Sequence, residues 1–375
     1  MTEIRMVDLA GQYQRIKTEV DSAISSVLNS TQFIKGPQVK AFEEHLATYL
    51  NVKHVISCAN GTDALQIAMM ALGYQPGDEI ITASFTYVAT AEVIALLKLK
   101  PVLVEVNPDT FTIDPAAIEK AITPKTKAIV PVHLFGQCAD MEPIMAIARK
   151  YNLHVIEDNA QAIGADYTFA NGVKQKAGTI GTVGTTSFFP SKNLGCYGDG
   201  GALFTNDDAL AARLRMISNH GQSVQYVHDE IGVNSRLDTI QAAILDVKLK
   251  YLDDYASRRR SVADAYDKAF KDLKHAQIPV RAGNSTHVFH QYTLKLTGVD
   301  RNEVRAKMQE RNIPCMVYYP IPLHLQKAYH DDRYPAGSFA LTEELCKQVI
   351  SLPIHTEFEH EQLEYIIKNF KEVVG

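Results

Sequence analysis

The chain has 375 residues, 46% of them hydrophobic, and a formal net charge of −5. This length and apolar content suffice for a large core and about two domains. The mild acidity gives no support for nucleic acid or an anionic membrane as a partner, although local charge can still serve an anionic substrate.

Cysteine usage and the N-terminal sequence indicate a cytoplasmic protein. The five cysteines show no CxxC pair and no metal-ligand spacing, so we expect free thiols in a reducing compartment and no metal site; they are Cys58, Cys138, Cys196, Cys315 and Cys346. The first 20 residues lack the apolar core of a signal peptide. No apolar run reaches the length that spans a membrane.

Strands and helices alternate over the first part of the chain. Two amphipathic helices are predicted first, over residues 13–29 and 38–50, by their apolar spacing. Apolar strands then alternate with helices at 62–73, 89–99, 114–122 and 141–151; the strands are predicted at 54–58, 79–85, 101–106, 127–135, 154–160, 185–189 and 201–205. This rhythm predicts an α/β fold with a mostly parallel sheet covered on both faces. In such sheets ligands bind at the carboxyl ends of the strands.

The rhythm changes after residue 240. Residues 241–273 read as one long helical stretch, broken once, that leads into a smaller α+β domain. Strands are predicted there at 290–296 and 315–321, a helix begins after Asp300 with Glu303 in a capping-box position, and the last helix covers 359–373. We predict a large domain over residues 1–250, whose N-terminal helix can pack on the small domain, and a C-terminal domain over residues 251–375.

Lys192 is the most informative residue of the chain. It lies in the segment TTSFFPSKNLGCYGDGGALFTND, residues 185–207, just before a run of glycines that lets the backbone approach a flat ligand closely. A lysine fixed from both sides suits an amine that condenses with an aldehyde cofactor, pyridoxal phosphate. The alternative is a solvated lysine at a strand end.

Asp158 is the second candidate, because it ends the apolar strand HVIED. A carboxylate at that edge can pair with a pyridinium nitrogen and keep the ring an electron acceptor. The alternative is that Asp158 or Glu157 caps the next helix. Gln161, three residues on, can reach the phenolic oxygen of the same cofactor.

The remaining cofactor candidates follow the other strands. Gly61 and Thr62 open a helix and offer backbone N–H groups and a hydroxyl to a phosphate, to which Ser187 can add a second hydroxyl. Tyr87 can stack on a planar ring. Taken singly, these residues also fit a capped turn and a half-buried tyrosine. Together with Lys192 and Asp158, they predict a pyridoxal-phosphate pocket.

Several segments closely resemble the DegT/DnrJ/EryC1/StrS sugar aminotransferases: CANGTDAL, TASFTYVATAE, VIEDNAQAIGA, SFFPSKNLGCYGDGGALFTND, NHG and GVNSRLDTIQAAIL. The resemblance covers nearly the whole chain. It implies a fold type I pyridoxal-phosphate-dependent aminotransferase, active as a homodimer with its sites at the interface. It also implies that Lys192 bonds the cofactor and moves the proton, while the remaining cofactor contacts come from Gly61, Thr62, Tyr87, Asp158, Gln161, Ser187 and, from the neighbouring subunit, Asn234.

Within the family, the segments most resemble the UDP-2-acetamido-2-deoxy-3-oxo-glucuronate aminotransferases of lipopolysaccharide O-antigen synthesis. That resemblance implies a 3-keto nucleotide sugar as acceptor and L-glutamate as donor. It places Arg236, acting from the neighbouring subunit, and Tyr318, Tyr319 and His324 near the nucleotide sugar. Tyr318 stands where those relatives have histidine, which leaves a dTDP-linked 3-keto- or 4-keto-6-deoxyhexose as the alternative acceptor.

Three other functions are alternatives to transamination. A dehydratase of the same fold has histidine in place of the lysine, whereas this chain has Lys192. A non-catalytic regulator that binds the cofactor should lose part of the candidate set, which is complete here. A nucleotide-dependent oxidoreductase is excluded because the glycines after Lys192 precede a strand, and the dinucleotide fingerprint opens a helix.

Overall fold

The structure is a computed structural model that describes residues 3–375. Its helices, in chain order, are α1 (Leu9–Ser30), α2 (Pro37–Leu50), α3 (Gly61–Ala71), α4 (Ala89–Leu96), α5 (Pro115–Ala121), α6 (Met141–Tyr151), α7 (Asp208–Ile217), α8 (Thr239–Leu249), α9 (Leu252–Phe270), α10 (Arg301–Glu310), α11 (Ala340–Gln348) and α12 (His360–Val374). Its strands are β1 (His54–Cys58), β2 (Glu79–Ala83), β3 (Lys100–Val104), β4 (Thr126–Val130), β5 (His154–Asp158), β6 (Asp166–Thr168), β7 (Lys174–Lys176), β8 (Val183–Ser187), β9 (Gly201–Thr205), β10 (Gln222–Val224), β11 (Val227–His228), β12 (Ala276–Gln277), β13 (Tyr292–Leu296) and β14 (Val349–Leu352).

A central sheet runs in the order β1-β9-β8-β5-β4-β2-β3. Strand β9 is antiparallel to both of its neighbours, β8 and β1, and the other pairs are parallel. The predicted mostly parallel α/β sheet is therefore confirmed. Because the parallel strands end at one edge, the segments that follow β1, β2, β5 and β8 meet there.

Apolar side chains cover the sheet on both faces. Strand β2 shows the alternation, since Ile80 packs with α3 and α7 while its neighbour Ile81 packs with α5 and α6. Both side chains are fully buried. Truncating either of them to alanine is expected to lower the free energy of unfolding by about 2–5 kcal/mol.

Among residues 3–375, none of the helices combines the length and apolar character that a membrane crossing demands.

A second sheet, β12-β13-β14, is antiparallel and packs with α9, α10 and α12 in a separate apolar core. Helix α1 packs against α8 through Ile16, Val20 and Ile244. Its Arg15 also forms an ion pair of 2.8 Å with Glu357 of the C-terminal region. The segment before α1 does join the smaller unit, because Ile4 is part of its core. The domain boundary at residue 250 stays a prediction.

Two predicted strands differ from the structure. The strand predicted over 127–135 ends at Val130, because Pro131 has no N–H for the ladder and Leu134–Gly136 form a 3₁₀ turn. The prediction of a strand over 315–321 is wrong. Only Met316 pairs with the second sheet, through Ser351, and Pro320 follows with no N–H to donate. Tyr318 and Tyr319 therefore lie in an irregular segment.

Candidate active site

A cavity of about 730 Å³ lies at the carboxyl ends of the central strands. Most of the predicted site residues line it: Gly61, Thr62, Tyr87, Asp158, Gln161, Ser187, Lys192, Tyr318 and Tyr319. Segments far apart in sequence thus bring an amine, a carboxylate, a helix N-terminus and aromatic rings into one space.

The loop that carries Lys192 is held by its own backbone. Lys192 N–H donates to the Phe189 carbonyl at 2.8 Å, and Cys196 N–H donates to the Phe188 carbonyl at 2.8 Å. Gly195 fits so tightly that a Cβ there would lie 2.3 Å from the Pro190 carbonyl oxygen. Glycine is required at this position because any side chain would push the loop apart.

The electrostatics of the cavity favour a neutral amine on Lys192. Burial lowers the pKa of Lys192 to about 8, and the Asp158 carboxylate acts in the opposite direction. A lysine with a pKa of about 8 has a usable fraction of free amine near neutral pH. This is the form that can act as a nucleophile or accept a proton.

Asp158 is held at the end of β5 with its carboxylate in the cavity. Its Oδ2 accepts a hydrogen bond from the Thr90 hydroxyl at 2.8 Å, and its Oδ1 accepts from Ala160 N–H at 3.1 Å. The adjacent Glu157 is fully buried and bonds to His133 and to backbone N–H groups of residues 178–181. The two carboxylates therefore have different roles, and only Asp158 lines the cavity.

Gln161 is fixed from both ends of its amide. Its Oε1 accepts from Phe135 N–H at 2.8 Å, and its Nε2 donates to the Tyr319 hydroxyl at 3.1 Å. Burial raises the pKa of Tyr319, so its hydroxyl stays protonated and can donate in turn. Gln161 and Tyr319 thus present an ordered pair of polar groups to the cavity.

The N-terminus of α3 forms the anion-binding end of the cavity. Asn60 caps the helix by accepting from Asp63 N–H at 2.8 Å. The N–H groups of Gly61 and Thr62 lie in the first turn, where no intrahelical acceptor exists. A Cβ on Gly61 would lie 2.7 Å from the Ser187 Cβ. Glycine therefore lets the helix start approach β8 closely enough to place N–H groups and hydroxyls together.

Tyr87 lines the cavity and is 57% exposed. Its ring centroid lies 6.2 Å from that of Tyr319, with the planes tilted by 43°. A ring with this much free surface is available for stacking on a planar ligand.

Three predicted residues lie outside this cavity. Asn234 is exposed and Arg236 lines a separate cavity of about 470 Å³. Their assignment to a neighbouring subunit's site stays a prediction. His324 is buried, with its ring nitrogens bonded to Ser84 Oγ at 2.9 Å and Glu343 Oε1 at 3.0 Å. Its position beside the nucleotide sugar stays a prediction.

The structure also adds residues that the sequence pattern did not reveal. Thr90 bonds Asp158 from within α4, and the cavity is further lined by Ser191, Asp199, His290 and Gln291. The glycine-rich run after Lys192 was the only local signal near Asp199. No motif marked His290 or Gln291, because they reach the cavity through long-range packing.

The residues of the cavity fit pyridoxal phosphate. The free N–H groups at the start of α3, with the hydroxyls of Thr62 and Ser187, suit a phosphate. Asp158 suits the protonated ring nitrogen, and Lys192 suits the aldehyde carbon. The donor set thus matches the phosphate, the ring nitrogen and the aldehyde of one ligand.

Comparison with known proteins gives a match over nearly the whole chain. The sequence profile of the DegT/DnrJ/EryC1/StrS aminotransferase family matches residues 14–371. The UDP-2-acetamido-2-deoxy-3-oxo-D-glucuronate aminotransferase of Pseudomonas aeruginosa is 48% identical over 365 residues, which are 97% of this chain and 98% of that protein. The pleiotropic regulatory protein of Geobacillus stearothermophilus is 46% identical over 371 residues, which are 98% of each chain.

Solved structures agree with the sequence comparison. DesV of S. venezuelae, in complex with a ketimine intermediate, has a TM-score of 0.94 and is 40% identical, with 99% of this chain and 98% of that chain covered. Other structures of this fold were solved with bound cofactor PMP and in a PLP form.

Proposed function

Because this chain belongs to the DegT/DnrJ/EryC1/StrS aminotransferase family, we propose that it aminates a 3-keto nucleotide sugar with L-glutamate as donor. The protein is an enzyme, a sugar aminotransferase that uses pyridoxal phosphate. The proposal specifies the position of the keto group, the nucleotide of the acceptor sugar and the identity of the amino donor.

The observation that carries the proposal is the presence of Lys192 and Asp158 in one cavity with the open N-terminus of α3. When bound, the cofactor supplies an electron sink for the bonds that break at the amino-bearing carbon. Nζ of Lys192, freed as the donor binds, accepts the proton from the donor's Cα. The Asp158 carboxylate would hold the ring nitrogen in its protonated form, while Gly61 and Thr62 would hold the phosphate.

The reaction is then a two-stage transfer. The donor leaves as a 2-oxo acid whose new carbonyl oxygen comes from water, and the cofactor would carry the amino group to the second stage. The keto sugar enters next, and Lys192 returns the proton to the carbon that receives the amine. Tyr318 and Tyr319 lie on the cavity wall where we propose that the sugar binds.

The name of the Pseudomonas relative supports a UDP-linked 3-keto uronate as the acceptor. We accordingly propose a role in the synthesis of an amino sugar for a cell-surface polysaccharide such as the O-antigen, in the cytoplasm. We also propose a homodimer in which Asn234 and Arg236 complete the partner's site. These two residues lie outside the cavity of their own chain, as such an exchange requires.

The proposal is tested by following the visible band of the cofactor-loaded enzyme. L-Glutamate is expected to bleach the band, and a UDP-linked 3-keto sugar is expected to restore it with release of the 3-amino sugar, identified by mass spectrometry and NMR. Restoration only by dTDP-linked 6-deoxy keto sugars would refute the uronate. Restoration by a 4-keto sugar would refute the C3 position.

A regulatory function is the second candidate, because the Geobacillus relative is named a pleiotropic regulatory protein. A protein that only senses cofactor or sugar has no need for the free amine of Lys192 opposite Asp158. Turnover separates the two functions. A cofactor-loaded protein whose band does not respond to any amino acid would favour the regulator.

A further inference from the structure

His290 and Gln291 are polar residues of the cavity wall with no assigned partner. His290 is 5% exposed and Gln291 is 9% exposed, and both line the cavity. Nδ1 of His290 is buried without a hydrogen-bond partner. Within residues 3–375, neither side chain forms a hydrogen bond. A buried polar group without a partner is costly, so Nδ1 of His290 indicates a ligand, and the Gln291 amide beside it faces the same cavity.

The wall that carries them is hydrogen-bonded to the loop of Lys192. Asn193, the residue after Lys192, donates from Nδ2 to the Val288 carbonyl at 2.9 Å. Gln291 N–H donates to the Phe135 carbonyl at 3.2 Å, and Phe135 N–H in turn bonds Gln161. The two free side chains are therefore held in a fixed relation to the reactive amine.

A buried cation lies directly behind this wall. Arg259 is 3% exposed and donates to the carbonyls of Phe289 and Ile354 at 3.1 and 3.0 Å, and more weakly to that of His290. Within the described part of the chain no carboxylate pairs with it. An uncompensated guanidinium behind the wall creates a positive potential that favours an anion in front of it.

The imidazole itself is neutral. Burial, with the nearby charges of Lys192 and Arg259, holds the pKa of His290 well below its ordinary value. A neutral imidazole has one N–H donor, and the Gln291 amide has two more. The carboxylates of the cavity, Asp63, Asp158 and Asp199, come from other elements of the fold. The wall thus offers neutral N–H donors in a positive field, which matches a carboxylate.

We propose that His290 and Gln291 bind the α-carboxylate of the amino donor. This rests on the proposed function, and it names the group of the donor that the wall recognises. Lys192 must reach the proton on the donor's Cα, and the α-carboxylate is bonded to that carbon. Its binding site therefore has to lie beside Lys192, as this wall does. A uronate carboxylate of the sugar is the other source of the same group, and it is farther from the reacting carbon.

The experiment measures the two half-reactions separately in the cofactor-loaded enzyme. His290→Phe removes the ring donors, and Gln291→Glu keeps the shape but adds a negative charge. Each is expected to raise the glutamate concentration that half-saturates bleaching of the visible band by about 10-fold or more, the effect of losing a charge-assisted hydrogen bond. His290→Asn, which retains an N–H donor, is expected to recover part of that loss.

Controls separate this role from a structural one. Gln309→Glu adds the same charge on the exposed face of α10 and should leave both half-reactions unchanged. The cavity variants are also preloaded with the amino form of the cofactor and mixed with the keto sugar. The rate of amination should then change less than 3-fold, which corresponds to about 0.65 kcal/mol in activation free energy.

The outcomes are distinct. If Gln291→Glu is half-saturated at the wild-type glutamate concentration, this inference is overturned and the proposed function is not affected. An equal loss in both half-reactions would mean a structural role, and a loss confined to the sugar half-reaction would assign the wall to the uronate; either result overturns it. Failure of any amino acid to bleach the wild-type enzyme would instead refute the proposed function.

Discussion

The hydroxyl of Thr90 donates a hydrogen bond of 2.8 Å to Oδ2 of Asp158, and so ties helix α4 to the end of strand β5. Both residues are buried. The bond fixes the orientation of the carboxylate that we expect to pair with a protonated ring nitrogen.

Thr90→Val removes this bond while keeping the shape of the side chain. We expect the rate of bleaching by the donor to fall about 10-fold, because a hydrogen bond to a charged group contributes roughly 1.5–3 kcal/mol. Single-turnover absorbance measures the rate. Thr293→Val is the matched control, since it removes a buried hydroxyl that bonds Ser351 at 2.8 Å in the second sheet. A Thr90→Val enzyme with the wild-type rate would show that the bond has no catalytic effect.

Gly61→Ala tests the phosphate end of the cavity. The added Cβ would meet the Ser187 Cβ at 2.7 Å, so the start of α3 must move away from β8. We expect cofactor affinity to fall by about 10-fold or more, because the N–H groups and hydroxyls no longer converge on one phosphate. Titration of the apoprotein with cofactor at the visible band gives the affinity. Gly283→Ala is the control, because nothing lies within 4 Å of its added Cβ; equal affinities in the two variants would contradict the assignment.

Lys248 makes stability depend on pH. This lysine is 1% exposed, and its amine donates to the Gly195 carbonyl in the loop of Lys192. Burial lowers the pKa of Lys248 to about 8 from the ordinary lysine value of 10.5. Between these values the unfolded chain binds more protons, so the free energy of unfolding rises with pH across that window. Below the folded value the cost of the buried charge is constant.

We therefore compare wild type with Lys248→Met by urea unfolding at two pH values. The advantage of the wild type over the variant is expected to grow by about 2 kcal/mol between roughly pH 7.5 and pH 9.5. The cofactor-free protein is used, so that binding does not change the reference. A difference that stays constant with pH would show that the amine keeps an ordinary pKa.

Mixed dimers test the exchange of residues between subunits. Lys192→Ala and the double variant Asn234→Ala/Arg236→Ala are each expected to be inactive alone. After unfolding and refolding together in equal amounts, they should regain about a quarter of wild-type activity, because half of the dimers are mixed and each has one complete site. No recovery in a mixture that forms dimers normally would show that these residues act within their own chain.

The sequence was most informative for functional residues that lie at or just after the end of a strand. Lys192, Asp158 and Gly61 were found because apolar strands are easy to recognise and their last residues share one edge of the sheet. The sequence favoured Asp158 as the carboxylate of the site, but left open whether Asp158 or Glu157 caps the next helix. Only the structure shows that the Glu157 carboxylate is hydrogen-bonded to His133 and to backbone N–H groups.

The features that the sequence did not predict depend on long-range contacts. His290 follows no motif, and it reaches the cavity because Arg259 and Asn193 hold its segment there. The run 315–321 has the aromatic and β-branched composition of a strand, yet it finds a partner only at Met316, since β14 is short and Pro320 cannot donate. Local composition records neither the partner strand nor the packing.

The most direct measurement is the site of covalent attachment. The cofactor-saturated enzyme is reduced with borohydride, digested, and its peptides are sequenced by mass spectrometry. We expect a phosphopyridoxyl group on Lys192 and none on Lys248, whose pKa burial also lowers to about 8 and which serves as the internal control. An unmodified Lys192 peptide, or modification of another lysine in its place, would contradict the assignment of this residue and the mechanism built on it.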